Sequence, residues 1–157
     1  MATNLQKFES LGGFSVGETV HVDELHNAKE FNSIEMKNSF YTDSKTTNYI
    51  LRGVNTATLQ LDDVGTSITI DNSTMNFITG HFIGVNPSGV VYSGKIESAV
   101  YCDGSGAVSE LSNMLTIIKH DVPVNESWNI SSFTATNRFS YSTVRTGTVQ
   151  TIKWAVS

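Results

Sequence analysis

The sequence predicts an all-β protein, an antiparallel β-sandwich of jelly-roll type with an N-terminal arm and at most one short helix. Three observations predict it. Short apolar/polar runs of period two recur about every ten residues, the spacing of sandwich and barrel strands. Gly, Asp, Asn or Pro closes nearly every run, and these are the residues that make turns. No strand–helix–strand alternation occurs, so a parallel α/β sheet is excluded.

In chain order, residues 1–20 read as an arm. Leu11-Gly12-Gly13-Phe14-Ser15-Val16-Gly17 is too rich in glycine for a helix interior and too short to pack alone. Its apolar residues Leu5, Phe8, Leu11, Phe14 and Val16 still need burial, either by covering the parent domain or, as the favoured reading, by docking on a neighbouring chain. Residues 21–157 form the sandwich domain, with 21–75 and 76–157 as an alternative division into two sub-layers. Asp23 to Phe31 is the one expected helix, capped by Asp23, with Leu25, Ala28 and Phe31 as its apolar stripe. The competing reading makes Glu18–Val22 a strand and leaves a single helical turn.

From Ser33 the period is two. Ile34, Met36 and Asn38 alternate with Glu35 and Lys37 as a half-exposed strand. Asn48–Arg52 is a short strand closed by Gly53, followed by Ala57–Leu61 and Ser67–Ile70. Met75–Val85 is interrupted at Gly80, which marks a bulge or the close approach of another backbone. Asn86-Pro87-Ser88-Gly89 is a turn, because proline presets φ and glycine permits positive φ. The strongest local signal is Ile96–Ile130. There a hairpin closes on Asp103-Gly104-Ser105-Gly106, and a return strand follows Asp121-Val122-Pro123-Val124. Trp128 and Ile130 share one face of that strand, and Phe139, Tyr141 and Thr143 share a face of the next. Ile152, Trp154 and Val156 end the chain in a strand that must be paired.

The bulk numbers exclude several functions. The chain has 157 residues, a net charge of −5 and only 16% charged residues. Ser, Thr and Asn make up roughly a third of it, well above ordinary usage. The ten Lys and Arg are scattered singly, so neither nucleic acid nor an anionic membrane is an expected partner. The stretch Met1–Lys7 has no apolar core of an export signal, which implies synthesis and assembly in the cytoplasm. Cys102 is the one cysteine and shares a face with Ile96, Ser98 and Val100, so it reads as a small buried apolar residue.

No motif supports catalysis, a metal or a cofactor. His21 and His26 are five apart, whereas the helical zinc-protease pair needs four. Asp62, Asp63 and Asp71 lack the ligand spacing of a calcium loop. Gly104-Ser105-Gly106 lacks the strand-to-helix context of a nucleophile elbow. Nothing in the sequence places His81, His120 and Asp121 together as a triad. Trp128 and Trp154 could stack on sugars, but their aliphatic face partners mark them as core. The expectation is therefore no catalytic residue, no metal and no cofactor.

Phe82-Ile83-Gly84-Val85-Asn86-Pro87-Ser88-Gly89-Val90, the hairpin Lys95–Gly106 and Asp121–Ile130 carry a family resemblance. With them, the C-terminal two-thirds resembles small β-sandwich structural proteins of tailed-phage virions, particularly those of marine and cyanobacterial phages. The resemblance implies a non-enzymatic virion component, a capsid decoration protein or a neck, tail or fibre subunit. Its expected partners are other copies of itself, as a homo-oligomer, and other virion proteins. Leu5, Phe8, Leu11, Phe14 and Val16 are the expected subunit contacts. The competing expectation is a carbohydrate-binding module or receptor-binding fibre component.

Overall fold

The computed structural model describes residues 14–16, 19–22, 33–41, 44–148 and 150–157. Within them the chain is all-β and antiparallel throughout. Its strands are β1 (Phe14–Val16), β2 (Thr19–Val22), β3 (Ser33–Lys37), β4 (Lys45–Tyr49), β5 (Leu51–Val54), β6 (Ala57–Thr58) and β7 (Ile68–Thr69). Then come β8 (Thr74–Val85), β9 (Val91–Cys102), β10 (Val108–His120), β11 (Ser127–Ala135), β12 (Arg138–Thr146) and β13 (Lys153–Val156).

Two sheets form the sandwich. One has the order β10-β9-β8-β13-β5, and the other has the order β11-β12-β6, with β7 also pairing β12. Two hairpins, β1–β2 and β3–β4, make separate two-stranded sheets. Sheet membership does not divide at residue 75: β5 joins the five-stranded sheet, while β6 and β7 join the other.

Alternation builds the core. Along β9, Tyr92, Ile96, Ser98, Val100 and Cys102 point inward and are buried. Opposite them stand Trp128 and Ile130 of β11 and Phe139, Tyr141 and Thr143 of β12. The layers meet through the edge-to-face pair Trp128–Trp154, with ring centroids 6.1 Å apart. The hydroxyls of Ser98 and Tyr141 also meet across the layers at 3.4 Å. One end of the sandwich is tied by Asn137, whose N–H donates to the Gly106 carbonyl at 2.8 Å. Its side-chain amide donates to the Ile70 carbonyl at 3.0 Å.

Several boundaries differ from the sequence reading. Asn48–Arg52 is not one strand: Ile50 separates β4 from β5, and Gly53 lies inside β5. The expected half-exposed strand at Ile34–Asn38 is exposed on both faces over β3, which among the described residues pairs only with β4. Gly80 does not interrupt β8, whose register with β9 runs unshifted through Gly80 opposite Ile96. The close-approach reading of that glycine holds, since a Cβ there would sit 3.1 Å from the Ser157 carbonyl oxygen. The return strand after Val124 does not rejoin its hairpin, because β11 belongs to the second sheet. The expected helix at Asp23–Phe31 lies outside the described residues, as do Leu5, Phe8 and Leu11. Phe14 and Val16 fall on β1, and Thr19–Val22 is a strand, as the competing reading had it.

Candidate assembly surface

The reactive side chains are dispersed. His81 lies on the outer face of β8, opposite Lys95. His120 stands opposite Tyr92, a core-face residue, and its ring meets Tyr92 edge-on at 5.2 Å. The two histidines therefore lie on opposite faces of one sheet. Asp121 follows β10 and is salt-bridged to Lys119 at 3.1 Å. No triad is assembled from these groups.

Asp103 closes the β9–β10 turn. Its Oδ1 accepts from the Ser105 hydroxyl at 2.7 Å, the Ser105 N–H at 2.8 Å and the Ala107 N–H at 2.9 Å. The Ser105 hydroxyl is thereby committed to the turn. These bonds, the Ser105 hydroxyl foremost, hold the Asp103 carboxyl below its ordinary range. Asp62 makes a similar turn, with bonds from Val64 and Thr66, and its carboxyl is also lowered, chiefly by Thr66. Asp71 pairs with Lys45 at 3.0 Å, and Asp63 lies beside Asp62 in an exposed loop. Among the described residues, no group of three or more His, Cys, Asp or Glu could hold a metal ion. His21 lies on β2, and His26 lies outside the described residues. Cys102 is fully buried, and desolvation pushes its thiol up, away from the reactive thiolate. Trp128 and Trp154 are 4% and 2% exposed, so neither offers a stacking platform.

What the surface does carry is uncharged apolar area on β strands. On the outer face of the five-stranded sheet, Met75 stands opposite Tyr101, and Phe77 stands opposite Ala99. Phe77 is 79% exposed, although its neighbours in the strand are ordinary sheet residues. The β3–β4 hairpin shows Ile34 and Met36, with Phe40 and Tyr41 in the loop between its strands. Between β4 and the first half of β8 runs a groove of about 1010 Å³, with Ile68, Ile70 and Tyr141 among its lining.

The longest such feature is β10. It spans 13 residues, forms one edge of the five-stranded sheet, and is exposed over almost its whole length. Leu111, Met114, Leu115, Ile117 and Ile118 are all exposed along it. Sequence reading placed this strand at the centre of the fold and missed its edge position. The available signal was the loss of alternation after Leu111. Register shifts between Glu110 and Ser112, and between Ile117 and Lys119, account for that loss.

No protein-family model matches the chain, and no curated protein matches it.

Proposed function

We propose that this chain is a non-enzymatic structural subunit that associates with copies of itself and with other proteins of a virion of the tailed-phage kind. The observation that carries the reading is the 13-residue edge strand β10, exposed and apolar along a sheet otherwise built on a well-packed core. Lone monomers protect such edges with charge, proline, bulges or a covering element; β10 has no proline, and its charges and register shifts lie towards its ends, leaving Ser112–Ile117 regular and uncharged. The outer-face pairs Met75–Tyr101 and Phe77–Ala99 add apolar area of the kind that marks protein contacts.

In this reading the arm, residues 1–20, provides a second link between subunits through Leu5, Phe8, Leu11, Phe14 and Val16. The competing carbohydrate-binding reading loses its tryptophan platform to the core. Cryo-electron microscopy of purified source particles tests the proposal by locating the chain and counting its copies. The expected result is repeated, symmetry-related density for the sandwich in the particle. Absence of the chain from purified particles overturns the proposal. Deletion of residues 1–20 with unchanged oligomer mass and unchanged incorporation removes the arm from it.

A further inference from the structure

We propose that β10 pairs with β10 of a second copy of this chain, antiparallel about a two-fold axis at Leu115, so that two five-stranded sheets become one. The inference rests on the reading of the chain as a self-associating subunit and says where the self-contact lies.

The backbone ladder leads to the axis. His81 donates its N–H to the Ser157 carbonyl at 2.8 Å, and Ser157 returns the bond at 3.0 Å, so the backbone groups of His81 point towards β13. Successive residues of a strand turn these groups to alternate sides. Phe82 therefore bonds towards β9, where its register partner is Gly94. Lys95, the next residue of β9, points to β10, opposite Thr116. Thr116 and Met114 are thus used by β9. Asn113, Leu115 and Ile117 turn their N–H and C=O groups outward, and no strand covers that edge among the described residues.

These three outward residues lie between the two register shifts, in the regular part of the strand. They are centred on Leu115. An axis there places Asn113 of each copy opposite Ile117 of the other, and Leu115 opposite its own counterpart. Each outward N–H then meets an outward C=O, as in an ordinary antiparallel ladder. A two-fold axis normal to the sheet also keeps the core faces of both copies on one side, so the half-exposed Leu115 and Ile117 side chains cover one another.

Charge selects the same arrangement. Between Glu110 and Lys119 the strand carries no charged residue. Glu110 stands at one end, with Lys119 and His120 at the other. Antiparallel pairing brings Glu110 of one copy towards His120 of its partner on the core face, while Lys119 stays with its own Asp121, whereas parallel pairing sets like charges side by side. The surface is therefore self-complementary, the condition for a closed two-fold contact.

The test uses the full chain carrying Leu115→Cys. Its native cysteine, Cys102, is fully buried and stays out of the chemistry. Directly opposed strand positions lie within disulfide reach. Under mild oxidation this variant should give a covalent dimer on a non-reducing gel and in intact mass. Leu111→Cys should not, because its counterpart would lie about 25 Å away along the paired strands. Leu115→Lys sets two ammonium groups against each other at the axis and should raise the dissociation constant of the contact at least about tenfold. Circular dichroism and melting establish that each variant is folded, and if Leu115→Lys is not, the cysteine pair alone decides. If native mass spectrometry shows the wild-type chain assembled, yet Leu115→Cys does not cross-link and folded Leu115→Lys keeps the wild-type mass, the β10 contact is overturned and the assembly reading stands. A wild-type chain that stays monomeric overturns both.

Discussion

Gly84 of β8 lies directly beneath the indole of Trp154 on β13. The two are register partners, and a Cβ built on Gly84 would come within 2.6 Å of Trp154 Cζ3 and 2.7 Å of Cε3. The ring occupies the space that a side chain would otherwise take. It reaches Tyr92 on one side and Trp128 of the other sheet on another, at centroid distances of 6.3 and 6.1 Å. This glycine is required by the ring above it.

Gly84→Ala should therefore destabilise the fold by about 1–3 kcal/mol, the usual cost of overpacking a core. Urea unfolding followed by circular dichroism measures it. Gly104→Ala, where the nearest atom is Ser73 Oγ at 3.6 Å, is the control and should stay within about 0.5 kcal/mol of wild type. Equal stability of the two variants would contradict the packing described.

The two tryptophans differ in one polar atom. Trp128 Nε1 donates to Glu126 Oε2 at 2.9 Å. Trp154 Nε1 is buried and finds no hydrogen-bond partner among the described residues. Replacing either by Phe removes similar volume, but only Trp128→Phe loses a charge-assisted bond. Trp128→Phe should cost about 1 kcal/mol more than Trp154→Phe in the same unfolding assay. The reverse order would place the indole contributions elsewhere.

The Asp103 turn makes stability depend on pH. Its carboxyl is lowered in the folded state, so the stabilisation is complete above the unfolded value of about 3.9 and is lost as pH falls through the folded value. Melting temperatures of wild type and Asp103→Asn, taken from neutral to acid pH, should differ by a constant amount at neutral pH. The gap should narrow below about pH 4. A gap that widens on acidification would reverse the assigned direction.

Much of the fold was legible because alternation and turn chemistry agree in the second half of the chain. Cys102 with Ile96 and Val100, Trp128 with Ile130, and Phe139 with Tyr141 all point inward as their period-two spacing requires. Asn86–Gly89 turns where proline and glycine place it, with Gly89 at φ +81°. The sheet assignments were not legible. Nothing local to Ser127–Ala135 tells the chain to leave its hairpin and join the second sheet, where it pairs with β12 and sets Trp128 against Trp154. Gly80 misled in part because a glycine needed for the nearby Ser157 backbone has the same local appearance as one at a bulge. The candidate contact surface was the least legible feature. A strand at the edge and a strand in the middle of a sheet can share one apolar composition, and only the pairing order distinguishes them.

Native mass spectrometry of the full chain over a dilution series decides whether the sandwich associates with copies of itself. Association through β10 gives a species at an integer multiple of the 17.1 kDa chain mass, larger than one, that dissociates on dilution. A single species at 17.1 kDa at every concentration would contradict it.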